Sequence, residues 1–463
     1  MRNMTVEAIA AAVDGKLENA GKCDLTKEAA SVVIDSRLME EGGIFVATKG
    51  ERVDGHTFIE RVFELGALAV ICEKLPANPS GPCIVVEDSF VAIKKLAAYY
   101  RNQMSLKIVG IVGSVGKTST KEIVASVLGA HYEVLRTEGN FNNEVGVPLT
   151  IFKIRDAHEV AVVEMGISDF GEMDRLGQIV RPDIVLFTNI GPCHLENLGD
   201  LDGVLRAKCE IIDRMNPNGT LVINGQDEKL ALIDEERAKG RKIIKYGKES
   251  KRDDVYASNI ENLGLDGSRF TANFPDGSHY DMSVPLPGYH MVDNAIAAAA
   301  VGFLMGLNLE EIRRGMSTVE SLSGRGHIIH TEKYTILDDC YNANPRSMYA
   351  AIDTLGYALT RKVAILGDMF ELGEETDRLH GEVGDYAAGC GVDSLIFVGS
   401  LAKHMYERAR IHEGVEIRYY PNRELLLAAL KDTTKEILKP GDTILIKASH
   451  GMGFSEVVEF LES

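Results

Sequence analysis

Residues 107–119 decide the fold, and they read Lys-Ile-Val-Gly-Ile-Val-Gly-Ser-Val-Gly-Lys-Thr-Ser. The first six are almost continuously apolar, which predicts a parallel strand buried on both faces. Two glycines, Gly113 and Gly116, then allow a tight turn into a helix predicted over residues 118–132. In such a strand–loop–helix unit the loop amides and the positive end of the helix converge on a phosphate group. The stretch therefore predicts an open α/β sheet that binds a nucleotide.

The same loop contains two side chains suited to nucleotide chemistry. Lys117 can reach the terminal phosphates, and the hydroxyl of Thr118 can ligate Mg²⁺. The longer form of this motif has a glycine at position 111, where this chain has Ile111. The alternative is a glycine-rich turn with an exposed lysine, but the order of strand, loop and helix favours nucleotide binding. The loop residues predicted to bind ATP are Gly113, Ser114, Val115, Gly116, Lys117, Thr118 and Ser119.

Strands and helices alternate on both sides of this loop, which predicts an α/β protein of three domains. Short apolar runs and helical patterns before it predict a small α/β module over residues 1–105. A mostly parallel sheet with an antiparallel insert at 255–287 predicts a central ATP-binding domain over 106–317. A second alternation predicts a Rossmann-like doubly wound domain over 318–463.

Composition excludes several classes of protein. The 463 residues include 50 basic and 69 acidic ones, a formal charge of −19, which argues against a nucleic-acid partner. The longest apolar stretch, residues 295–307, is shorter than a bilayer span and predicts a buried helix instead. We therefore expect no membrane insertion. Seven scattered cysteines with no Cys-x-x-Cys pair predict reduced thiols in a cytoplasmic protein; they are Cys23, Cys72, Cys83, Cys193, Cys209, Cys340 and Cys390.

Three further polar residues follow the central strands, where ligands of open parallel sheets bind. Glu164 ends a predicted strand and would be a hard oxygen ligand for Mg²⁺. His194 follows the next strand, and its alternative is a hydrogen-bonding loop residue, because imidazole suits softer metals. Lys208 lies on a helix soon after, and from spacing alone a solvated lysine paired with Glu210 or Asp213 is favoured.

Several motifs together resemble the ATP-dependent Mur ligases of peptidoglycan synthesis, over nearly the whole chain. They are Asp35-Ser-Arg37, Phe45-Val-Ala47, Asp54-Gly-His56, the Gly113–Ser119 loop (the phosphate loop), Gly139-Asn-Phe-Asn-Asn143, Glu164-Met-Gly166, Asn189-Ile-Gly191, His194-Leu-Glu196 and Ala207-Lys208. Two stretches, 338–347 and 366–373, resemble members that add D-alanyl-D-alanine to UDP-N-acetylmuramoyl-tripeptide. The resemblance implies these two substrates, a UDP-binding first domain and an acyl-phosphate intermediate.

The resemblance also implies residue roles. Lys117, Glu164, His194 and Lys208 would be catalytic. Thr118, Glu164, His194 and Lys208 would hold two Mg²⁺ ions, with Lys208 carbamylated. Further ATP contacts would be Asn294, Arg325 and Asp339. Substrate contacts would be Ser36, Arg37, Asn140, Asn142, Asn143, Tyr341, Asn342, Asn344 and Ser347. A monomer whose third domain closes over the site is expected.

Other interpretations stay open at this point. Arg325 could form a surface ion pair and Asp339 a strand-end cap, while Asn342, Asn344 and Ser347 could cap the following helix. Asp368 and His380 could likewise be ligand contacts or have a structural role, and the structural role is slightly favoured. The chain departs from the family pattern at Met291 and His450. Another amino-acid-adding ligase, or a nucleotide-switch NTPase with no amine acceptor, are the competing functions.

Overall fold

Three separate β-sheets organise the structure, a computed structural model that describes residues 1–21, 24–50, 53–432, 434 and 436–463. We refer to the N-terminal, central and C-terminal units, each named for its sheet. Cys23, one of the seven predicted thiols, lies outside the described residues. The six described cysteines are free, as predicted.

The N-terminal unit is built on a five-stranded sheet of order β1-β5-β4-β3-β2, in which β1 alone runs antiparallel to its neighbour. Its strands are β1 Lys16–Glu18, β2 Val32–Val33, β3 Ile44–Val46, β4 Ala69–Cys72 and β5 Cys83–Val85. Its helices are α1 Val6–Ala12, α2 Ile59–Glu64 and α3 Ser89–Asn102.

The central unit has nine strands in the order β14-β13-β12-β11-β10-β9-β6-β8-β7. They are β6 Lys107–Val112, β7 Val134–Arg136, β8 Val160–Glu164, β9 Ile184–Phe187, β10 Thr220–Asn224, β11 Lys242–Lys248, β12 Val255–Asn262, β13 Ser268–Asn273 and β14 His279–Val284. Its helices are α4 Lys117–Gly129, α5 Gly146–Ile151, α6 Glu172–Val180, α7 Leu195–Leu198, α8 Leu201–Cys209, α9 Met291–Leu304 and α10 Leu309–Ser317. The antiparallel pairing of β12, β13 and β14 confirms the predicted insert.

The C-terminal unit has six strands in the order β15-β16-β20-β17-β18-β19, all parallel except β15. They are β15 His327–His330, β16 Thr335–Asp338, β17 Lys362–Gly367, β18 Ser394–Val398, β19 Glu416–Tyr420 and β20 Thr443–Lys447. Its helices are α11 Pro345–Gly356, α12 Thr376–Gly389, α13 Ala402–Ala409, α14 Arg423–Lys431 and α15 Ser455–Glu462.

The predicted three-part α/β fold class is confirmed, and so is the buried helix at 295–307, since α9 packs in the core of the central unit. Edge strands β7 and β19 were not predicted, because short edge strands with charged residues lack the continuous apolar run of a central strand. The predicted boundaries at 105 and 317 stay predictions.

The N-terminal and central units share one hydrophobic core, because α3 packs against α5 and α6. The Tyr100 hydroxyl of α3 donates to the Ile154 carbonyl at 2.6 Å, and its ring lies 6.4 Å from that of Phe152. The C-terminal unit faces the central one across a cleft. Within the described ranges, no helix has the length and apolar character to cross a membrane.

The packing of α12 on α13 generates a stability prediction. A Cβ atom at Gly384 would lie 2.2 Å from the Met405 carbonyl oxygen, so Gly384→Ala should lower the free energy of unfolding by about 1–3 kcal/mol. Gly389 ends the same helix with open space around it, and Gly389→Ala is the matched control, expected to leave stability within about 1 kcal/mol. Urea unfolding followed by circular dichroism compares the two. Equal effects would mean that α12 and α13 are not in close contact.

Candidate active site

The phosphate loop leaves β6 at Gly113, where only glycine fits. Its φ is +153°, and a Cβ atom there would lie 1.9 Å from Thr188 Oγ1. Gly116, with φ +80°, forms the N-cap of α4. The loop therefore passes close to the end of β9 and turns directly into the helix, so the positive end of α4 points into the turn.

The segment after β9 braces this loop. The backbone N–H of Ser114 donates to the Asn189 carbonyl at 2.9 Å, and that of Val115 donates to Asn189 Oδ1 at 3.1 Å. Ser114 Oγ donates to the Gly191 carbonyl at 3.0 Å and also accepts from the Gly191 N–H at 3.0 Å. The shape of the phosphate loop thus depends on a second strand end, 70 or more residues away in sequence.

Lys117 and Thr118, the first two residues of α4, are the predicted phosphate and magnesium contacts. Lys117 Nζ donates to the Gly113 carbonyl at 3.0 Å, which holds the ammonium over the loop. Thr118 is buried, at 6% exposure. Both side chains line a cavity of about 700 Å³ between the central and C-terminal units.

Glu164 ends β8, next to β6, as predicted, and is 1% exposed. Its Oε1 accepts from Asn142 Nδ2 at 2.7 Å. Its Oε2 is buried without a hydrogen-bond partner and lies 4.0 Å from the ammonium of Lys121, which is itself fully buried. A buried carboxylate oxygen without a hydrogen bond is costly unless a cation compensates it. The donor set of Glu164 and Thr118, two hard oxygens, fits Mg²⁺.

His194 precedes α7 and faces the C-terminal unit. Its Nδ1 lies 2.7 Å from Glu371 Oε2. Burial lowers the pKa of His194, the ammonium groups of Lys208 and Lys117 lower it further, and Glu371 opposes both effects. The imidazole is therefore held toward its neutral form beside two positive charges.

Lys208, on α8, is 1% exposed, so the solvated lysine favoured from spacing alone is wrong. Neither Glu210 nor Asp213 pairs with it; Glu210 instead accepts from the Gly171 N–H, and Asp213 pairs with Lys239. Burial lowers the pKa of Lys208 to about 8, and nearby Lys117 lowers it too. Helical spacing could not reveal this, because the burial comes from packing against other elements.

Most of the predicted site residues line this cavity. These are Ser114, Val115, Gly116, Lys117, Thr118, Ser119, Asn140, Asn142, Asn143, Glu164, His194, Asn294, Arg325, Asp339, Tyr341, Asn342, Asn344 and Ser347. Lys208 is not among the lining residues, and Ser36 and Arg37 lie in the N-terminal unit, where Arg37 pairs with Asp35 and is exposed.

The C-terminal side of the cavity contains contacts that the sequence did not predict. Asp339 Oδ2 lies 2.6 Å from Nζ of the buried Lys447, and burial raises the pKa of Asp339 while Lys447 opposes that rise. The guanidinium of Arg325 lies 3.9 Å from the ring centroid of Tyr341, not in a surface ion pair. Lys447 ends β20, and the rule that selected Glu164, a polar residue at a strand end, would have found it.

Several of the residues with open interpretations make the structural contacts that those alternatives predict. Asn344 and Ser347 form a capping box at the start of α11, with Asn344 Oδ1 accepting from the Ser347 N–H at 2.9 Å. Buried His380 accepts from the Met369 N–H, and Asp368 accepts from the backbone N–H groups at the start of α13. At one position where the chain departs from the family pattern, Met291 Sδ accepts from Asn294 Nδ2 at 3.4 Å.

At the other such position, the ring of His450 lies 5.1 Å from that of Tyr341. Among the described residues, no group of three or more His, Cys, Asp or Glu side chains is arranged to hold a metal.

Comparison with known proteins identifies the family. The sequence matches three family descriptions in chain order: Mur ligase family, catalytic domain, over residues 28–103; Mur ligase middle domain over 111–302; and Mur ligase, glutamate ligase domain, over 324–450. A Bacillus subtilis protein named UDP-N-acetylmuramoyl-tripeptide–D-alanyl-D-alanine ligase is 35% identical, across 100% of this chain and 99% of its own. This chain belongs to the Mur ligase family.

Solved structures agree with the assignment to the Mur ligases. A crystal structure of MurF from Acinetobacter baumannii has a TM-score of 0.89 at 31% identity, and the match covers 99% of each chain. A MurF ligase from Thermotoga maritima, solved in complex with ADP, has a TM-score of 0.80 at 28% identity, over 93% of this chain and 97% of that one. The similarity thus extends over all three units of this Mur ligase.

The buried lysine generates a prediction about pH. Because burial lowers the pKa of Lys208 from 10.5 to about 8, the unfolded chain binds a proton between those pH values that the folded chain does not. Lys208→Met should remove this difference. The free energy of unfolding of the wild type, relative to Lys208→Met, should therefore rise by about 1.4 kcal/mol per pH unit from pH 8 to 10.5 and stay level below pH 8.

Urea unfolding in buffers free of CO₂ measures the two proteins. Lys107→Met, at an exposed lysine that begins β6, is the control and should show no such slope. A flat difference for Lys208→Met over the same range would contradict the burial of its ammonium group.

Proposed function

We propose that this Mur ligase joins D-alanyl-D-alanine to UDP-N-acetylmuramoyl-tripeptide, with ATP as the energy source and an acyl phosphate as the intermediate. The observation that carries the proposal is the cavity in which the phosphate loop and Glu164 of the central unit face the Tyr341–Ser347 segment of the C-terminal unit. The names of the Bacillus subtilis relative and of the ADP-bound Thermotoga maritima MurF ligase support it.

The reaction has two steps. The carboxylate of the tripeptide attacks the γ-phosphorus of ATP, which forms an acyl phosphate and releases ADP. The amine of D-alanyl-D-alanine then attacks the acyl carbon, and the tetrahedral intermediate expels phosphate. The first step brings together two anions that repel by about 4 kcal/mol at 4 Å in an effective dielectric of ~20. The protein must therefore supply positive charge and orientation.

Lys117 supplies positive charge at the phosphate loop, where its ammonium lies over the Gly113 carbonyl. The loop amides and the N-terminus of α4 bind the phosphates. Thr118 and Glu164 would hold Mg²⁺, which when bound neutralises the phosphate oxygens and aligns the γ-phosphate. Lys121 Nζ lies 4.0 Å from Glu164 Oε2 and partly offsets the charge of that carboxylate, and it also pairs with Glu122 Oε1 at 3.0 Å.

Lys208 is proposed to be carbamylated. As an ammonium group it stands near His194 and Lys117, an arrangement that repels a second cation. With a pKa of about 8, a substantial fraction of the amine is neutral near physiological pH and can react with CO₂. The carbamate formed is an anionic oxygen donor suited to Mg²⁺. The modification thus changes the local charge from repulsive to attractive for a second ion beside His194.

The remaining predicted residues divide between the substrates. Asn294, beside Gly116, and the Arg325 and Asp339 groups across the cleft are proposed nucleotide contacts. Asn140, Asn142, Asn143, Tyr341, Asn342, Asn344 and Ser347 are proposed contacts of the peptide substrates. Ser36 and Arg37, in the N-terminal unit, are proposed to bind the uridine diphosphate end of the tripeptide substrate. The reaction is proposed to take place in the cytoplasm.

A coupled assay tests the function directly. Purified protein with ATP, Mg²⁺ and UDP-N-acetylmuramoyl-tripeptide should release phosphate rapidly only when D-alanyl-D-alanine is added, and mass spectrometry should detect the pentapeptide product. Phosphate release that ignores both peptide substrates would contradict the ligase and favour a nucleotide-switch NTPase. Rapid release with a single amino acid in place of the dipeptide would favour a different amino-acid-adding ligase.

The carbamylated lysine has its own test. Lys208→Ala should lose most of the ligase activity, and added bicarbonate should not restore it, because the variant has no amine to modify. Lys107→Ala, at the exposed start of β6, should retain ordinary turnover. Ordinary turnover of Lys208→Ala would end the assignment of this residue to the reaction.

A further inference from the structure

The side chain of Arg346 extends from the C-terminal unit to the central one. Arg346 is the second residue of α11, and the capping box of Asn344 and Ser347 fixes the start of that helix. Its Nη1 donates to the Ile190 carbonyl at 3.4 Å and lies 3.5 Å from Asp227 Oδ2. The guanidinium therefore makes two polar contacts with a unit other than its own.

Asp227, the acidic partner of Arg346, is buried at 7% exposure and is held by backbone groups. Its Oδ2 accepts from the Ile190 N–H at 3.0 Å, and its Oδ1 accepts from the N–H groups of Lys229 and Leu230 at 3.1 and 3.0 Å. Among the described residues, Arg346 is the only cationic side chain that forms an ion pair with Asp227. Both contacts of Arg346 are thus with one peptide segment and with the carboxylate that fixes it.

This segment also holds the phosphate loop. Gly191 follows Ile190, and Ser114 Oγ of the loop donates to the Gly191 carbonyl and accepts from its N–H, each at 3.0 Å. A Cβ atom at Gly191 would lie 3.6 Å from Arg346 Cδ and 3.8 Å from Ser114 Cβ. A single glycine therefore separates the side chain of Arg346 from the phosphate loop.

Arg346 lies outside the wall of the cavity. Among the described residues that line the cavity, neither Arg346 nor its contacts Ile190, Gly191 and Asp227 occur, whereas the next residue of α11, Ser347, does. A ligand in the cavity is therefore contacted by the neighbours of Arg346 and not by Arg346 itself. Any effect of this side chain on a ligand is exerted through other residues.

We propose that Arg346 is a positioning residue for nucleotide binding, which ties α11 to the segment that holds the phosphate loop. The proposal rests on the proposed function in assigning to the cavity a nucleotide with contacts on both units. The apparent affinity of such a ligand falls with the fraction of molecules in which the two units lie together. Arg346 raises that fraction, because its contacts with the central unit exist only in that arrangement.

ADP binding without turnover is the first test. Isothermal titration calorimetry with ADP and Mg²⁺, in the absence of both peptide substrates, should give a dissociation constant roughly 3–10-fold higher for Arg346→Gln than for the wild type. Arg346→Lys keeps a positive charge beside Asp227 and should lose less. Arg378→Gln is the matched control and should bind ADP like the wild type, because Arg378 lies in the first turn of α12 and pairs with Glu375 and Glu382 of its own unit.

Kinetics separate a positioning role from a general loss of structure. The side chain of Arg346 is 48% exposed, so its replacement leaves no buried hole, and urea unfolding checks that each variant is folded. In the coupled assay, the KM for ATP should rise in Arg346→Gln by a factor similar to that for ADP, while kcat stays within about twofold of the wild type. Saturating nucleotide compensates for the weaker tie, whereas a loss of folded protein would lower kcat alone.

Unchanged ADP affinity in folded Arg346→Gln would overturn the proposal, and so would a lowered kcat with unchanged KM. An equal loss of ADP affinity in Arg378→Gln, or a loss in Arg346→Lys as large as in Arg346→Gln, would also contradict it. The calorimetry uses neither peptide substrate nor turnover. Failure of the wild type to form the amide would therefore reject the ligase function, while the ADP measurements would still decide the role of Arg346.

Discussion

The close approach of Gly113 to Thr188 is the constraint on which the site depends. Because β6 and β9 pair side by side, the loop after one strand must pass the end of the other, and a Cβ atom at Gly113 would collide with the Thr188 hydroxyl. The missing side chain lets Ser114 and Val115 bond to the segment after β9. That arrangement fixes the loop amides, the start of α4 and hence the position of Lys117.

Charge around the loop is arranged in buried, incompletely paired groups. Glu164 has one oxygen bonded to Asn142 and one without a hydrogen bond, and Lys208 lies buried with a lowered pKa. Each group is costly as it stands, since burial penalises an uncompensated charge. In the proposed function, phosphates, cations and a carbamate on Lys208 would offset this cost by bringing opposite charges into the cleft. The site is thus less stable than a fully paired one and is suited to binding a highly charged nucleotide.

The cavity lies between the central and C-terminal units, so the positions of its lining residues depend on how these two units are arranged. The N-terminal and central units share a hydrophobic core, whereas the C-terminal unit meets the central one mainly through polar contacts around the cavity. One is the Glu371–His194 contact, and another is Arg346 of α11, whose Nη1 lies 3.4 Å from the Ile190 carbonyl in the segment that braces the phosphate loop. Polar contacts of this kind can be broken and remade at lower cost than a shared core, which would suit the expected closure of the C-terminal unit over substrates.

The sequence by itself determined the features that depend on near neighbours in the chain. The phosphate loop, the β6 and β8 strands, the buried helix α9 and the position of Glu164 at a strand end follow from local apolar runs, glycines and strand ends. Only the tertiary structure decided that Lys208 is buried, that Lys447 pairs with Asp339 and that Glu371 reaches His194. Those contacts join elements far apart in the chain, and the burial that shifts a pKa arises from packing between elements, which spacing along one helix or strand does not encode.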